Sequence, residues 1–275
     1  MSPRTARLAT LVSAIALASV ALGVQDAAAA TGAVAAAPPV ASAAEVAASA
    51  SAGSASAAPT PAVVARSNET TNTTWAHPVE YGSIRLHPDR AARRIARIHL
   101  LTEDGFPEVY VVLDTLADAN GEQWARIRVP GRPNGLVGWV PAADLGAFHV
   151  THWHIVISLG GRRLRAYMDG RLRFSAPVGV GKPSTPTPTG HFWIRERFRV
   201  PGGRNSPYGP WAFGTSAYSR LTDWPGGGVV GIHGDFGEPQ AIPGDPSHGC
   251  VRMRDGSLVR LARIISVGTP VTIVR

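Results

Sequence analysis

The sequence predicts a mainly β protein with two successive folded domains and one or two short helices. Three observations lead to this class. The chain has 275 residues, of which 44% are apolar, enough for one or two buried cores. Most apolar runs are short, alternate with polar residues and end at turn-forming residues, which is typical of strands joined by tight turns. A single stretch, Ser257–Ile265, repeats its apolar residues at helical spacing.

The N-terminal part of the chain predicts export and a tether. Two arginines precede an apolar run from Leu8 to Val24, and the string Ala27–Ala30 offers a small-residue cleavage site. Residues 1–30 are therefore interpreted as a secretory signal, with an uncleaved membrane anchor as the alternative. Residues 31–75, rich in Ala, Pro and Ser, predict a disordered linker because they offer few side chains for a core.

Residues 76–148 predict a small antiparallel barrel. Asn-Gly pairs at 120–121 and 134–135 mark turns between its strands. The segment from Gly121 to Pro141 resembles the bacterial SH3-like domain that accompanies wall-processing enzymes. The expected strands are Glu108–Leu113, Gln123–Val129 and Leu136–Val140.

Two tryptophans of this barrel have two interpretations, and one arginine has a single one. Trp124 and Trp139 are expected in the core, since a barrel this small needs large side chains to fill it, and a ligand platform is the alternative. Arg132 is expected to be exposed, and an ordinary solvated turn is its simplest interpretation.

Residues 152–275 predict the second β-rich domain. The arginines of Phe192–Val200 are expected to face solvent, because that segment alternates in polarity. In the predicted helix, Ser257 is expected to be the N-cap, with Gly268 beyond the end. Its apolar face comprises Leu258, Leu261, Ala262 and Ile265. The expected strands are His154–Leu159, Arg163–Met168, Arg171–Val180, Phe192–Val200 and Val271–Val274.

The net positive charge indicates that the protein interacts with anionic surroundings, but it does not identify a ligand. The formal charge is +8, with Lys182 as the one lysine among 27 basic residues. A nucleic-acid partner is not expected, because the arginines are dispersed along alternating strands and the chain is predicted to be exported. No Gly-rich phosphate loop appears in the sequence.

The segment Val230–Met253 contains the candidate catalytic residues. A short apolar strand delivers His233, and a Gly/Pro-rich loop then leads to Ser-His-Gly-Cys, which ends at Cys250. A nearby imidazole makes a thiol a useful nucleophile, so Cys250 is the candidate nucleophile and His233 the candidate base. Gly249 lets its own N–H and that of Cys250 turn toward a developing oxyanion.

Two other interpretations of this cluster remain open. A free cysteine is often a small buried hydrophobe, although Cys250 is the only cysteine of a chain predicted to be exported and an unpaired thiol is then a liability unless it is used. A zinc site is disfavoured, because the spacing lacks both C-x-x-C and H-E-x-x-H. We expect no metal, and His248 is expected to have a structural role.

The pattern I-H-G…S-H-G-C-V-R-M resembles the L,D-transpeptidase (YkuD-type) catalytic domain. The resemblance covers residues 152–275 and implies a β-sandwich-like fold. The upstream segment Pro177–Phe192 resembles the substrate-side segment of the same domain. The resemblance makes Cys250 the nucleophile and His233 the proton acceptor and donor.

The resemblance also implies supporting and substrate-binding residues. Ser247 and His248 support the loop, while Gly249 and Cys250 provide the oxyanion N–H groups. Arg252 either binds a substrate carboxylate or forms an ion pair, with Asp255 as the expected partner. Gly234 is expected at the substrate, and a tyrosine hydroxyl near the oxyanion is provided by Tyr208 or by Tyr218. The residues that bind substrate are thus Arg252, Gly234 and Tyr208.

The implied function is a secreted, wall-located enzyme that forms 3→3 peptidoglycan cross-links through a thioester. Its partners are donor and acceptor stem peptides, carbapenems are expected to inhibit it, and membrane contact is limited to an uncleaved N-terminal segment. No cofactor is expected, since a thiolate, a histidine and oriented N–H groups suffice for acyl transfer. The alternatives are an L,D-carboxypeptidase, a wall-protein anchoring enzyme, or an inactive wall-binding protein.

Overall fold

The computed structural model describes residues 62–223 and 225–275. The predicted signal, residues 1–30, and most of the predicted linker lie outside these ranges. The described part is mainly β, as predicted, with two sheets and one α-helix. Within it, no helix has the length and apolar character that crossing a membrane requires.

The first sheet has eight antiparallel strands. They are β1 (Val64–Ala65), β2 (Thr73–Ala76), β3 (Ser83–Arg85), β4 (Arg94–Arg97), β5 (Tyr110–Ala117), β6 (Gln123–Arg128), β7 (Val137–Pro141) and β8 (His149–Thr151). Their order is β4-β3-β7-β6-β5-β2-β8, and β1 pairs with β5. The core of this sheet includes Ile84, Tyr110, Val112, Ile127 and Val140.

Two strands fall in the stretch that we predicted as linker, residues 31–75. β1 pairs with β5, and β2 pairs with both β5 and β8. Thr73 and Thr74 of β2 are buried, because β-branched side chains pack well on a strand. The prediction of a disordered linker up to residue 75 is therefore wrong for β1 and for β2.

The strands predicted for the first domain are present, with shifted ends. The strand expected at Glu108–Leu113 begins at Tyr110 and continues to Ala117. β6 and β7 lie within one residue of the expected bounds. Trp124 is fully buried, as predicted for the core, and Trp139 is half-buried. The resemblance to an SH3-like domain stays a prediction.

The second sheet has ten strands, in the order β11-β10-β9-β18-β13-β14-β15-β17-β12-β16. They are β9 (Trp153–Ser158), β10 (Arg163–Met168), β11 (Arg171–Pro177), β12 (Gly179–Gly181), β13 (Gly190–Arg199), β14 (Trp211–Tyr218), β15 (Val229–His233), β16 (Gly244–Ser247), β17 (Val251–Arg252) and β18 (Pro270–Val274). The sheet is mixed, since β9–β18, β15–β17 and β12–β16 are parallel pairs. Its core includes Ile155, Leu164, Ile194, Phe213, Ile232 and Leu258.

The helix α1 (Asp255–Ala262) begins two residues before the predicted start. The prediction of Ser257 as N-cap is wrong: the helix follows Arg254 and has no side-chain cap. Asp255 lies in the first turn, where a carboxylate is favourable beside the unpaired N–H groups. The predicted apolar face is confirmed, since Leu258, Leu261, Ala262 and Ile265 are buried, although Ile265 lies beyond the helix end.

One arginine of β13 is buried, contrary to the expectation that its arginines face solvent. Arg195 is 3% exposed, whereas Arg197 and Arg199 are exposed. A register shift after Ile194 interrupts the alternation of this strand, as a β-bulge does. Arg195 therefore points toward the first sheet, where its Nε donates to Glu108 Oε1 at 2.8 Å.

The two sheets meet through apolar and polar contacts. Val109, Val111 and Leu113 form a buried cluster with Trp193 of β13, and Trp193 Nε1 donates to the Val109 carbonyl at 2.7 Å. Arg132 is exposed, as expected. The interpretation of its turn as merely solvated is wrong, because the guanidinium donates to carbonyl groups that follow β14.

Candidate active site

Parallel pairing of β15 and β17 brings the candidate base and nucleophile together. Ile232 of β15 is in register with Val251 of β17, and both side chains are fully buried in the core. Because side chains alternate along a strand, His233, Cys250 and Arg252 lie on the opposite face. The predicted pair thus meets on one side of the sheet although 17 residues separate His233 from Cys250 in the sequence.

A pocket with an empty volume of about 420 Å³ opens on this face. It collects six of the residues that the sequence singled out or the resemblance implied, together with four that it did not. The lining residues are Tyr208, Ser219, Val229, Val230, His233, Phe236, Ser247, His248, Cys250 and Arg252.

Cys250 is the free cysteine of the described residues and is partly exposed. The Gly231 N–H donates to its Sγ at 3.4 Å. Burial raises the pKa of the thiol, while the Gly231 N–H and the charge of Arg252 act in the opposite direction. The raised pKa means that the thiol is protonated in the resting site, so a base must remove its proton before it can attack.

His233 is held in one tautomer by the backbone. Its Nδ1 lies 2.9 Å from the Gly234 carbonyl oxygen, which can only accept, so Nδ1 carries the proton and Nε2 offers a lone pair. The ring is 5% exposed. Burial lowers its pKa, the Gly234 contact opposes this shift, and the charge of Arg252 adds to it, with a net value of about 4. A neutral imidazole beside a neutral thiol is suited to general-base catalysis.

Aromatic rings surround His233 on the pocket side. The ring of Tyr208 lies edge-on to His233 at 5.1 Å between centroids, and Phe236 lies 5.4 Å away. The pKa of Tyr208 is raised by burial and next by the charge of Cys250, which places the tyrosine within electrostatic reach of the thiol.

Tyr218, the alternative tyrosine in the sequence analysis, forms its side-chain hydrogen bonds away from Cys250. Its hydroxyl donates to the Glu103 carboxylate and accepts a hydrogen bond from Arg195 Nη1 at 3.0 Å. Tyr218 is therefore committed to the contact between the sheets. Of the two tyrosines, Tyr208 lines the Cys250 pocket.

Arg252 forms a different ion pair from the one expected. Its Nη1 lies 3.3 Å from Glu238 Oε2, and its guanidinium lies 4.3 Å from the centre of the Phe236 ring. The expected pairing with Asp255 is wrong: Arg252 is on β17 and faces the loop after β15. Its buried Nε has no hydrogen-bond partner among the described residues.

The loop before Cys250 is held by its own side chains and by the predicted substrate-side segment. Ser247 Oγ donates to the Cys250 carbonyl at 2.6 Å, and Thr187 Oγ donates to the Gly249 carbonyl at 2.8 Å. Lys182 Nζ lies 2.9 Å from His248 Nε2. Gly249 has φ +128°, a backbone conformation that favours glycine.

The N–H of Gly249 is not directed at the pocket as expected. The role of this N–H as an oxyanion donor stays a prediction, because in the structure it donates to Ser247 Oγ at 3.1 Å within the loop. The reason is the Ser-x-Gly spacing, which lets the Ser247 hydroxyl accept from the amide two residues on, as serine does in tight turns.

Gly234, expected at the substrate, lies behind the base instead. Its carbonyl accepts from His233, and its N–H donates to the Tyr208 carbonyl at 2.7 Å. A Cβ at Gly234 would lie 2.7 Å from Gly209 Cα, so glycine is needed here for close packing of two backbone segments. Its role in this structure is to position Tyr208 and the His233 ring.

Sequence reasoning missed Ser219 and Phe236 as pocket residues. Ser219 follows β14 and is far from the motif in sequence, and no local signal marks it. Phe236 has φ +61° in a Gly-rich loop, and this unusual conformation aims its ring back at His233. Thr187 was included in the substrate-side segment, but its contact with the Gly249 carbonyl was not predicted.

The family comparison agrees with this site. Residues 152–273 match the model of the YkuD family, the L,D-transpeptidase catalytic domain. This match supports the resemblance that the motif around Cys250 indicated.

Particular relatives cover the same region. The chain is 37% identical over 123 residues to the YkuD protein of Bacillus subtilis, covering 45% of this chain and 66% of that one, and 37% identical over 121 residues to YkuD of Bacillus licheniformis, covering 44% and 65%. It thus spans slightly less than two thirds of either relative. The solved catalytic domain of an Enterococcus faecium L,D-transpeptidase is 25% identical, with a TM-score of 0.34, covering 44% of this chain and 95% of that one.

Proposed function

We propose that the chain is a secreted L,D-transpeptidase that forms 3→3 cross-links in peptidoglycan through a thioester on Cys250. One observation carries the proposal: within the matched YkuD domain, Cys250 and His233 line one pocket, and the Gly234 carbonyl fixes His233 with Nε2 unprotonated. This arrangement supplies a nucleophile and a base in the protonation states that acyl transfer requires.

In the acylation step, His233 Nε2 takes the proton of the Cys250 thiol while Sγ attacks the carbonyl carbon of the third residue of a tetrapeptide stem. A tetrahedral oxyanion forms, and in this proposal the Cys250 N–H and the Tyr208 hydroxyl stabilise it. Collapse breaks the amide bond, and the departing D-alanine amine takes the proton from His233. The stem remains attached to Sγ as a thioester.

In the second step, the side-chain amine of a neighbouring stem attacks the thioester carbon. His233 takes a proton from that amine, the new amide forms, and Sγ leaves as a thiolate that recovers the proton from His233. Arg252 lines the pocket, and in this proposal it binds a stem carboxylate by a charge-assisted hydrogen bond.

The test is covalent labelling of the full chain by a carbapenem, followed by mass spectrometry. Because the chain has one cysteine, a single adduct that disappears in Cys250→Ser supports the proposal. Purified muropeptides are then incubated with both proteins. Cross-linking by the Cys250→Ser protein at the wild-type rate would refute the assignment of the nucleophile.

Two related activities use the same acyl-enzyme. With water as acceptor the enzyme is an L,D-carboxypeptidase, and with a wall protein it is an anchoring enzyme. Product analysis distinguishes them, because hydrolysis gives shortened stems without dimers. An inactive wall-binding protein gives no carbapenem adduct.

The remaining proposals concern location and the first sheet. The predicted signal and the formal charge of +8 support a place outside the cytoplasm beside an anionic wall. The first sheet is proposed to be an SH3-like domain.

A further inference from the structure

A turn of the first sheet forms hydrogen bonds with the backbone that follows β14. The turn, named here the clasp, comprises residues 130–135 and lies between β6 and β7. Arg132 Nη2 donates to the carbonyl groups of Ser219 at 3.0 Å, Leu221 at 3.1 Å and Gly227 at 2.9 Å. A second donor of the same guanidinium, Nε, also contacts the Ser219 carbonyl at 3.3 Å.

Asn134 completes the grip with a reciprocal pair of hydrogen bonds. Its Nδ2 donates to the Tyr218 carbonyl at 2.9 Å, and the Tyr218 N–H donates to its Oδ1 at 3.0 Å. The Arg132 guanidinium also lies 4.9 Å from the centre of the Tyr218 ring. All the hydrogen bonds of the clasp go to main-chain atoms, so they fix the path of the backbone itself.

The gripped segment, Tyr218–Leu221, forms a wall of the candidate active site. Ser219 lines the pocket together with Cys250 and is 8% exposed. A Cβ built on Gly249 would lie only 3.1 Å from Ser219 Cβ, so this wall contacts the loop that carries the nucleophile. A shift of the segment by about 1 Å would change the shape of the pocket, and misplacement on that scale can cost an enzyme up to about 100-fold in rate.

We propose that Arg132 and Asn134 are positioning residues of the active site, which hold Tyr218–Leu221 as the wall beside Cys250. The first sheet then contributes to catalysis as well as to any binding of the wall. This inference rests on the proposed function for its kinetic test, but the position of the wall can be tested without it.

An arginine suits this role for a chemical reason. The guanidinium presents several donors in a fixed planar fork and reaches three carbonyl groups at once, whereas an ammonium is a single point of charge. Arg132→Lys is therefore expected to keep part of the effect, and Arg132→Ala to remove it.

The experiment compares Arg132→Ala, Arg132→Lys and Asn134→Ala in the full chain. The matched control is Arg90→Ala, because Arg90 lies in the loop between β3 and β4 of the first sheet and its exposed side chain pairs with Glu122. Two rates are measured for each protein: acylation of Cys250 by a carbapenem, and alkylation of the same thiol by iodoacetamide. Circular dichroism identifies the temperature range in which each variant is folded, and KM and kcat for a tetrapeptide stem are determined there.

In Arg132→Ala and Asn134→Ala we expect acylation to fall about tenfold, mainly through a higher KM. Alkylation is expected to become faster, because a displaced wall exposes the thiol to a small reagent. Arg132→Lys is expected to lie between, and Arg90→Ala to match the wild type. Partial unfolding would change both rates in the same directions, but a tenfold loss of acylation would require about nine tenths of the protein to be unfolded. The rates are therefore compared only where circular dichroism shows that each variant is folded.

The proposal is overturned if Arg132→Ala and Asn134→Ala acylate like Arg90→Ala. If Arg132→Ala does not fold, Arg132→Lys and Asn134→Ala decide. If the wild type itself forms no adduct, the proposed function fails, and alkylation alone then decides the inference: unchanged rates in every folded variant refute it, and faster rates confined to the clasp variants support it.

Discussion

Protonation of His233 is expected to destabilise the folded protein as the pH falls. Burial lowers the pKa of the ring from 6.5 to about 4, while in the unfolded chain it titrates near its ordinary value. The unfolded chain therefore binds a proton that the folded protein does not. As a result, the free energy of unfolding decreases as the pH falls from the unfolded pKa toward the folded pKa of His233. The full loss is about 3 kcal/mol, of which about 2.5 kcal/mol has occurred by about pH 4.5.

The variant His233→Asn isolates this effect. The Asn amide can donate to the Gly234 carbonyl from nearly the same position as Nδ1, but it does not titrate. Glu196 acts in the opposite direction, because burial raises its pKa to about 7, so its stabilising contribution is present at low pH and lost as the pH rises. Both proteins contain Glu196, and its effect cancels in their difference.

Urea unfolding of wild type and His233→Asn at about pH 7.5 and about pH 4.5 gives the measurement. The stability difference between the two proteins is expected to shrink by about 2.5 kcal/mol at the lower pH. A His233→Asn difference that does not change with pH would refute a buried, neutral imidazole.

The remaining predictions concern packing and charge. Glu108→Gln leaves Arg195 buried with less compensating charge, so urea unfolding should show that the free energy of unfolding falls by about 3 kcal/mol. Adding Arg195→Met should recover much of this loss. A double variant without recovery would contradict the pairing of the two residues. Gly234→Ala places a methyl group 2.8 Å from the Gly209 N and should cost about 2 kcal/mol in thermal unfolding. Gly256→Ala in α1, with nothing within 4 Å of its Cβ, should be neutral or gain up to about 1 kcal/mol; equal losses in the two glycine variants would contradict the close packing.

Local patterns in the sequence predicted the strands because they reflect local forces. Alternation and turn residues located β6, β10 and β18 to within one residue. The same patterns failed where a distant residue decides the outcome. Arg195 alternates as a surface residue would, but a bulge turns it toward Glu108, and 87 positions separate the two residues in sequence.

The candidate site shows the same division between local and distant information. Cys250 and His233 were identifiable because each lies in a short, distinctive motif, and the parallel pairing of β15 with β17 then brings the motifs to one face. The wall beside them depends on contacts such as that of Arg132 with Ser219, which joins the two sheets. These residues are 87 positions apart in the sequence, and no periodic pattern of residues predicts their contact.

The Gly249 N–H can donate either to Ser247 Oγ or to a substrate oxyanion. The choice between these two acceptors affects how an oxyanion can be bound. In the structure Ser247 Oγ accepts from that N–H while donating to the Cys250 carbonyl, so both hydrogen bonds of the hydroxyl serve to shape the loop. Turning the N–H toward a substrate would leave Ser247 Oγ, on a side chain that is 1% exposed, without its donor, at a cost of about 1–3 kcal/mol. The two hydrogen bonds of Ser247 therefore stabilise the loop and oppose the use of the Gly249 N–H as an oxyanion donor.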